Sequence, residues 1–201
     1  MGERELYQPL TQHDKVTVVL YRVGIALATL IIAAAAYMSV TGPLLQGLVS
    51  ANSLATVLIL ALYGAVGLSV FFIHLYVNKF HRTLKNLYYL SIAALALLFI
   101  LGKGDIFGVL ISRAYGPLLL LPLAGCLGFI TAKEAFCFRL TEGYLIALLL
   151  PLYLLVIALG TMTARSASYG LVFIAALLVI FSLRKVFMPL HYDIGDKSAY
   201  T

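Results

Sequence analysis

Residues 144–162 read YLIALLLPLYLLVIALGTM and contain no charged side chain. At 1.5 Å per residue, a helix of this length is about 28 Å long, close to the hydrocarbon thickness of a bilayer. The stretch is continuously apolar, whereas the strands of a membrane β-barrel alternate between apolar and polar residues. Because backbone groups in lipid must bond within the protein, this stretch predicts a membrane-spanning helix.

The whole chain shares this composition. Of its 201 residues, 63% are hydrophobic and only 11% are charged. A soluble domain is nearer 45–50% apolar and about 25% charged, because its surface needs polar groups. We therefore expect one integral membrane domain, and the net charge of +6 does not indicate nucleic-acid binding.

Further apolar runs indicate how often the chain crosses the membrane. The predicted fold is all-α, with six transmembrane helices at residues 17–40, 54–77, 86–101, 115–132, 144–162 and 169–186. The helical domain would cover residues 16–187, between tails at 1–15 and 188–201. The third run is short, and the IFGVLI segment that follows could lie at the interface or re-enter the membrane, so residues 102–114 stay open.

The basic residues predict the orientation. With both termini on the cytoplasmic or stromal side, eleven lysines and arginines lie inside, and only Lys103, Arg113 and Arg165 lie outside. This bias agrees with the positive-inside rule. The N-terminus reads MGERELYQPLTQHDK, without an early apolar core or a cleavage site, so we expect a retained first helix rather than a signal peptide.

No pattern in the sequence supports an enzyme. The chain contains no GxGxxG, Walker or GxSxG motif in a suitable setting, and its two cysteines form no CxxC pair. No charged residue is expected in the middle of a span, which argues against a carboxylate proton relay or a di-metal site. A path for a neutral solute stays possible, because Pro117, Pro122 and Pro151 could bend helices four and five.

The segment TAKEAFCFRLTEG at residues 131–143 concentrates polar side chains between two apolar runs. We expect helix four to end near Ala132, helix five to begin near Gly143, and an amphipathic connector between them. Its phenylalanines would face lipid, its charges would stay in water, and Arg139 would neutralise Glu142 at i,i+3 spacing. A passive interfacial connector is one interpretation. The functional one is a docking surface made of Lys133, Glu134, Phe136, Cys137, Phe138, Arg139 and Glu142.

His74 is the histidine nearest to an apolar run. A lone histidine there could ligate haem or chlorophyll, although an interfacial histidine that faces water is the simpler interpretation. A helix continuing from His74 would place His81 two turns further along the same face. No histidine or cysteine pair has the HExxH or CxxC spacing of a metal site, so we predict no metal and no cofactor.

Two segments carry a resemblance. KEAFCFRLTEGYLIALLLP and the later HYDIGDK are similar to an uncharacterised integral membrane family of cyanobacteria and plastids. In that family glycine precedes KEAFCF, whereas Ala132 stands there in this chain. The resemblance implies a photosynthetic lineage and a thylakoid or plasma membrane, and it supplies no activity and no ligand residues.

Three functional hypotheses follow. The first is a non-enzymatic protein that docks with, or helps to assemble, a larger membrane complex, which the resemblance suggests could be photosynthetic. The second is a small transporter or channel for a neutral or weakly polar solute. The third is a pigment- or haem-binding protein that uses His74. All three place the chain in a lipid bilayer.

Overall fold

The computed structural model describes residues 11–45, 51–75 and 77–194. In these three ranges all regular secondary structure is helical. The helices are α1 Gln12–Leu45, α2 Ala51–Phe72, α3 Asn78–Gly102, α4 Ile106–Ser112, α5 Tyr115–Leu119, α6 Leu121–Phe138, α7 Thr141–Ala158, α8 Ala164–Val186 and α9 His191–Ile194.

Six of these helices are long and apolar enough to cross a membrane. The candidate spans are Gln12–Thr41, Asn52–Phe72, Asn78–Gly102, Leu121–Phe138, Thr141–Ala158 and Ala164–Val186. The predicted all-α fold with six spans is therefore confirmed, whereas the orientation of the termini stays a prediction. Most of the predicted tails, residues 1–10 and 195–201, lie outside the described residues.

The core forms where α1 packs between α2 and α8. Residues at helical spacing, from Tyr21 to Ala36, line the buried face of α1. Gly24 allows α1 and α2 to approach closely, because a Cβ there would lie 2.7 Å from the Ala65 carbonyl oxygen and would also collide with Ser69. Small residues serve membrane helices in this way, since dispersion contacts rather than the hydrophobic effect hold helices together in lipid.

Several helix boundaries differ from the prediction. The KEAFCF segment is not a separate connector, because α6 continues through it to Phe138 and α7 begins already at Thr141. The buried Glu134 and Ala135 extend the core-facing side of α6. The helix ends only at Arg139, whose φ of 55° is in the left-handed region that commonly terminates helices.

The predicted fourth and second helices are also divided differently. The run at residues 115–132 separates into α5 and α6 just before Pro122, which lies at the start of α6, where a missing amide donor costs nothing. The predicted second helix, residues 54–77, ends earlier than expected, because α2 finishes at Phe72 and α3 begins at Asn78, so His74 and His81 do not share one continuous helix.

The segment after α3 forms a short helix of its own. The Asp105 side chain caps α4 by accepting a hydrogen bond from the Gly108 amide at 2.9 Å. Ile106 and Val109 pack against Leu98 of α3 in a small second apolar cluster.

Candidate functional site at the inner end of the helices

Ionised side chains from four helices meet at one end of the molecule. At this end α1 begins and α6 and α8 finish, and we call it the inner end because the predicted topology places it on the cytoplasmic or stromal side. The charged cluster consists of Tyr21 and Arg22 from α1, Lys133 and Glu134 from α6, Lys185 from α8 and Asp193 from α9.

Glu134 is the acceptor on the α6 side of the cluster. Its side chain is completely buried. Oε1 accepts hydrogen bonds from the Tyr21 hydroxyl at 2.6 Å and from Lys133 Nζ at 2.8 Å, and Oε2 forms an ion pair with Lys185. A buried carboxylate is tolerated in the ionised form only with partners of this kind.

Asp193 is the second acceptor, and it attaches the C-terminal segment to the helices. Its Oδ2 accepts from Arg22 Nε at 2.7 Å and lies 2.6 Å from Arg22 Nη2, while Oδ1 pairs with Lys185. The same guanidinium donates to carbonyl oxygens at the end of α8 and just beyond it, at Val186, Met188 and Pro189. Arg22 therefore satisfies otherwise free carbonyls at the end of α8 and fixes α9 over α1.

Aromatic rings enclose the two lysines. Lys185 Nζ lies 4.1 Å from the centroid of the Phe138 ring and 5.9 Å from that of Tyr21. Lys133 Nζ lies 5.6 Å from the Tyr21 ring. Cation–π contacts are strongest where water is excluded, so these rings stabilise ammonium groups that the protein has largely desolvated.

The cluster holds three cations and two carboxylates, so its formal charge is +1. The C-terminal ends of α6 and α8 are close by, and Lys185 itself lies in the last turn of α8. A helix C-terminus carries a partial negative charge that favours nearby cations. This arrangement is suited to a permanent link between α1, α6, α8 and α9.

These contacts correct two of the sequence-based expectations. No charge was expected in the middle of a span, and Arg22, Glu134 and Lys185 do lie nearer the inner ends of their candidate spans, where they are buried. Glu134 and Glu142 were expected in water, but they are 0% and 7% exposed. The expected partner of Glu142 was Arg139, whereas both Glu142 oxygens accept from Nη1 of Arg184, at 2.8 and 2.7 Å.

The turn between α6 and α7 presents the rest of the predicted docking surface. We call residues 136–140 the α6–α7 elbow. Phe136 is 80% exposed, Cys137 and Arg139 are also exposed, and Leu140 is fully buried beneath them. Phe138 is half-buried, since its ring packs on Lys185.

Ion pairs fix the elbow on both sides. Glu134 precedes it and pairs with Lys185, while Glu142 follows it and pairs with Arg184, so both carboxylates are attached to the end of α8. The left-handed backbone of Arg139 costs roughly 1–2 kcal/mol for a residue with a Cβ. Lys103 ends α3 in the same left-handed conformation, so both helices terminate without a glycine.

His74 lies in the short connection between α2 and α3. Its Nε2 is 3.2 Å from the Thr17 hydroxyl oxygen, which links the connection to α1, and its Nδ1 is buried without a hydrogen-bond partner among the described residues. Burial, reinforced by the charge of Lys133, lowers the pKa of His74, so the ring is neutral at physiological pH. Ligation of haem or chlorophyll stays a prediction.

Within the part of the chain that the structure describes, the histidine, cysteine and acidic side chains offer no cluster of three that could hold a metal ion. Cys126 is fully buried in the apolar core, where it acts as a packing residue.

Sequence reasoning missed most of the charged cluster. Lys133 and Glu134 were in the predicted set, but Tyr21, Arg22, Lys185 and Asp193 were not. One signal was present, because Arg22 lies inside the first apolar run, and a charge within such a run indicates a partner. The identity of that partner, 171 positions along the chain, was not readable from spacing.

Comparison with known proteins places the chain in a family. The sequence profile of the uncharacterised integral membrane protein family DUF2301 matches residues 68–201, which is more than half of the chain. The match extends from the second half of α2 through α9 and therefore includes the elbow and most of the charged cluster. No curated protein and no solved structure matches the chain.

Proposed function

The chain belongs to the uncharacterised integral membrane protein family DUF2301, whose description assigns no activity, so we propose a function from the geometry of the inner end. The protein acts without catalysis, as a membrane-embedded docking protein that holds or helps to assemble a larger complex. The docking surface is the exposed part of the α6–α7 elbow, namely Phe136, Cys137 and Arg139.

The observation that carries this proposal is the pair of buried carboxylates on either side of the elbow. Glu134 and Glu142 attach both of its flanks to α8, so the exposed side chains between them are held by a rigid base. A pre-organised surface loses little conformational entropy on binding, which is a main cost of association. A passive connector has no need of two ion pairs in this position.

The chemistry of the elbow defines the partner. Phe136 offers a large exposed ring, and Arg139 offers a guanidinium with no ion pair among the described residues. Aromatic residues and arginine are the side chains most enriched at binding hot spots. The partner therefore presents an apolar pocket beside a carboxylate at the level of the membrane interface.

The photosynthetic setting is part of the proposal as well. The KEAFCF segment that carries the resemblance to a family of cyanobacteria and plastids contains Phe136 and Cys137 of the elbow. On that basis the complex belongs to a thylakoid or plasma membrane, with the elbow on the cytoplasmic or stromal side.

Site-specific photo-crosslinking in native membranes tests the docking surface. A photoreactive amino acid at position 136 should crosslink to one defined protein partner. The matched control is position 187, because Phe187 is 82% exposed at the same end but follows α8. Crosslinks to lipid alone at position 136, or the same products at both positions, would contradict the proposal.

A further inference from the structure

A second polar surface lies on α3, away from the charged cluster. Its side chains form one face of the first three helical turns, because they follow one another at spacings of one, three and four residues. Together they line an open groove of about 410 Å³. The lining residues are Asn78, His81, Arg82, Lys85, Asn86 and Tyr89.

The cations of this groove lack the carboxylates that accompany those of the charged cluster. Among the described residues, neither Arg82 nor Lys85 forms an ion pair. Lys85 Nζ lies 5.8 Å from the centroid of the Phe71 ring, which holds the ammonium group against the end of α2. No acidic side chain lines the groove, so it favours an anionic occupant.

The same face of α3 continues beyond the groove as an exposed apolar strip. Ile92, Ala93, Ala96 and Ile100 follow Tyr89 at helical spacing, and all of them are exposed. From Ile92 to Ile100 the strip rises about 12 Å, which is most of the thickness of one hydrocarbon leaflet. Only 22% of the most apolar window of α3 is buried, so this helix offers a long surface to lipid.

From this order of side chains we infer that the groove binds the phosphate of an anionic phospholipid, whose acyl chain lies along the apolar strip of α3. Arg82 and Lys85 contact the phosphate, and the amides of Asn78 and Asn86 supply further donors. Basic pockets on the inner side of membrane proteins recognise phospholipid headgroups in this manner. The continuous apolar strip favours a lipid over an acidic peptide, which would need only the groove.

Lipid titration of the purified full-length chain tests this inference. Native mass spectrometry would follow the binding of phosphatidylglycerol and of phosphatidylcholine with the same acyl chains. The unmodified chain should prefer phosphatidylglycerol. Removal of both cations in Arg82→Gln/Lys85→Gln should weaken that binding about thirtyfold, and Arg82→Gln alone about fivefold, since each basic residue near an anionic membrane contributes on the order of 1 kcal/mol.

The matched control removes the same charge from the opposite end. Lys103→Gln/Arg113→Gln replaces two exposed basic residues and should leave phosphatidylglycerol binding within about twofold of the original. Equal losses in the two double variants would show a general charge effect and overturn the inference, as would equal binding of the two lipids. Displacement of the lipid by millimolar inorganic phosphate would assign the groove to free phosphate instead. The single variant at the exposed Arg82 provides the test if the double variant unfolds.

Discussion

Arg22 on α1 and Asp193 on α9 are 171 positions apart in the chain, yet Nη2 and Oδ2 of their side chains lie 2.6 Å apart. The pair is almost completely removed from solvent, with side-chain exposures of 7% and 1%. It connects the inner part of α1 with α9, the short helix that follows the last candidate span. Because Lys185 joins Asp193 to Glu134, the same network continues into α6 and supports the elbow.

Asp193→Asn should destabilise the protein strongly. The substitution keeps the volume of the side chain but leaves Arg22 and Lys185 buried with one negative charge fewer between them. Loss of one partner of a buried ion pair costs about 3–5 kcal/mol. The free energy of unfolding in mixed detergent micelles measures the effect. Asp105→Asn is the control, since Asp105 is an exposed helix cap that asparagine can replace. An equal loss of stability in both variants would count against a special role of Asp193.

Tyr21→Phe tests the hydrogen bond between α1 and α6. It removes only the hydroxyl that donates to Glu134 at 2.6 Å, so we expect a loss of about 1.5–3 kcal/mol, the range for hydrogen bonds to charged groups. Tyr63→Phe is a matched control, because Tyr63 is 2% exposed and its hydroxyl has no hydrogen-bond partner among the described residues. The same unfolding assay should show no loss for Tyr63→Phe, and the reverse ranking would contradict the described network.

Gly24→Ala should weaken the contact between α1 and α2. Its new methyl group would meet the Ala65 carbonyl oxygen and Ser69, which belong to the facing helix. Gly64→Ala adds the same methyl group to α2, where nothing lies within 4 Å. This control should be neutral or more stable by up to about 1 kcal/mol, because alanine is the better helix former. The melting temperatures of Gly24→Ala and Gly64→Ala in detergent measure this difference. Equal melting temperatures would refute the close approach at Gly24.

His74 predicts a pH dependence of stability. Burial lowers its pKa in the folded state, so the unfolded chain takes up a proton at higher pH than the folded one. The free energy of unfolding should therefore decline as the pH falls below the unfolded value of about 6.5 and through the lower folded pKa. His74→Gln should flatten this part of the profile. An unchanged profile between pH 7.5 and pH 5.5 would show that another group is responsible.

The sequence was sufficient for the architecture because each span is a local property. Residues 144–162 need no knowledge of the rest of the chain to be recognised as a helix in lipid, and the same holds for the other five runs. Helix ends were predicted less well, because the termination of α6 depends on the backbone conformation of Arg139 and not on a drop in hydropathy near Ala132.

The charged cluster could not be derived in the same way. Hydropathy places Lys133, Glu134 and Lys185 at the ends of runs, where water and protein are both possible surroundings. Which one applies depends on how α6, α8 and α9 are rotated and packed, and these contacts join distant parts of the chain. For Glu142 the local rule selected Arg139 at i,i+3, but tertiary packing offered Arg184 in a better geometry.

The mass of the particle that mild detergent releases from native membranes tests the central claim most directly. The unmodified chain should run in a complex much heavier than its own 21.9 kDa. Phe136→Ser/Arg139→Gly should release it as a small particle that remains folded, because neither side chain supports the core; Phe138 is left intact, since its ring packs on Lys185. A small particle already for the unmodified chain, or a large one that survives the double substitution, would contradict docking through the α6–α7 elbow.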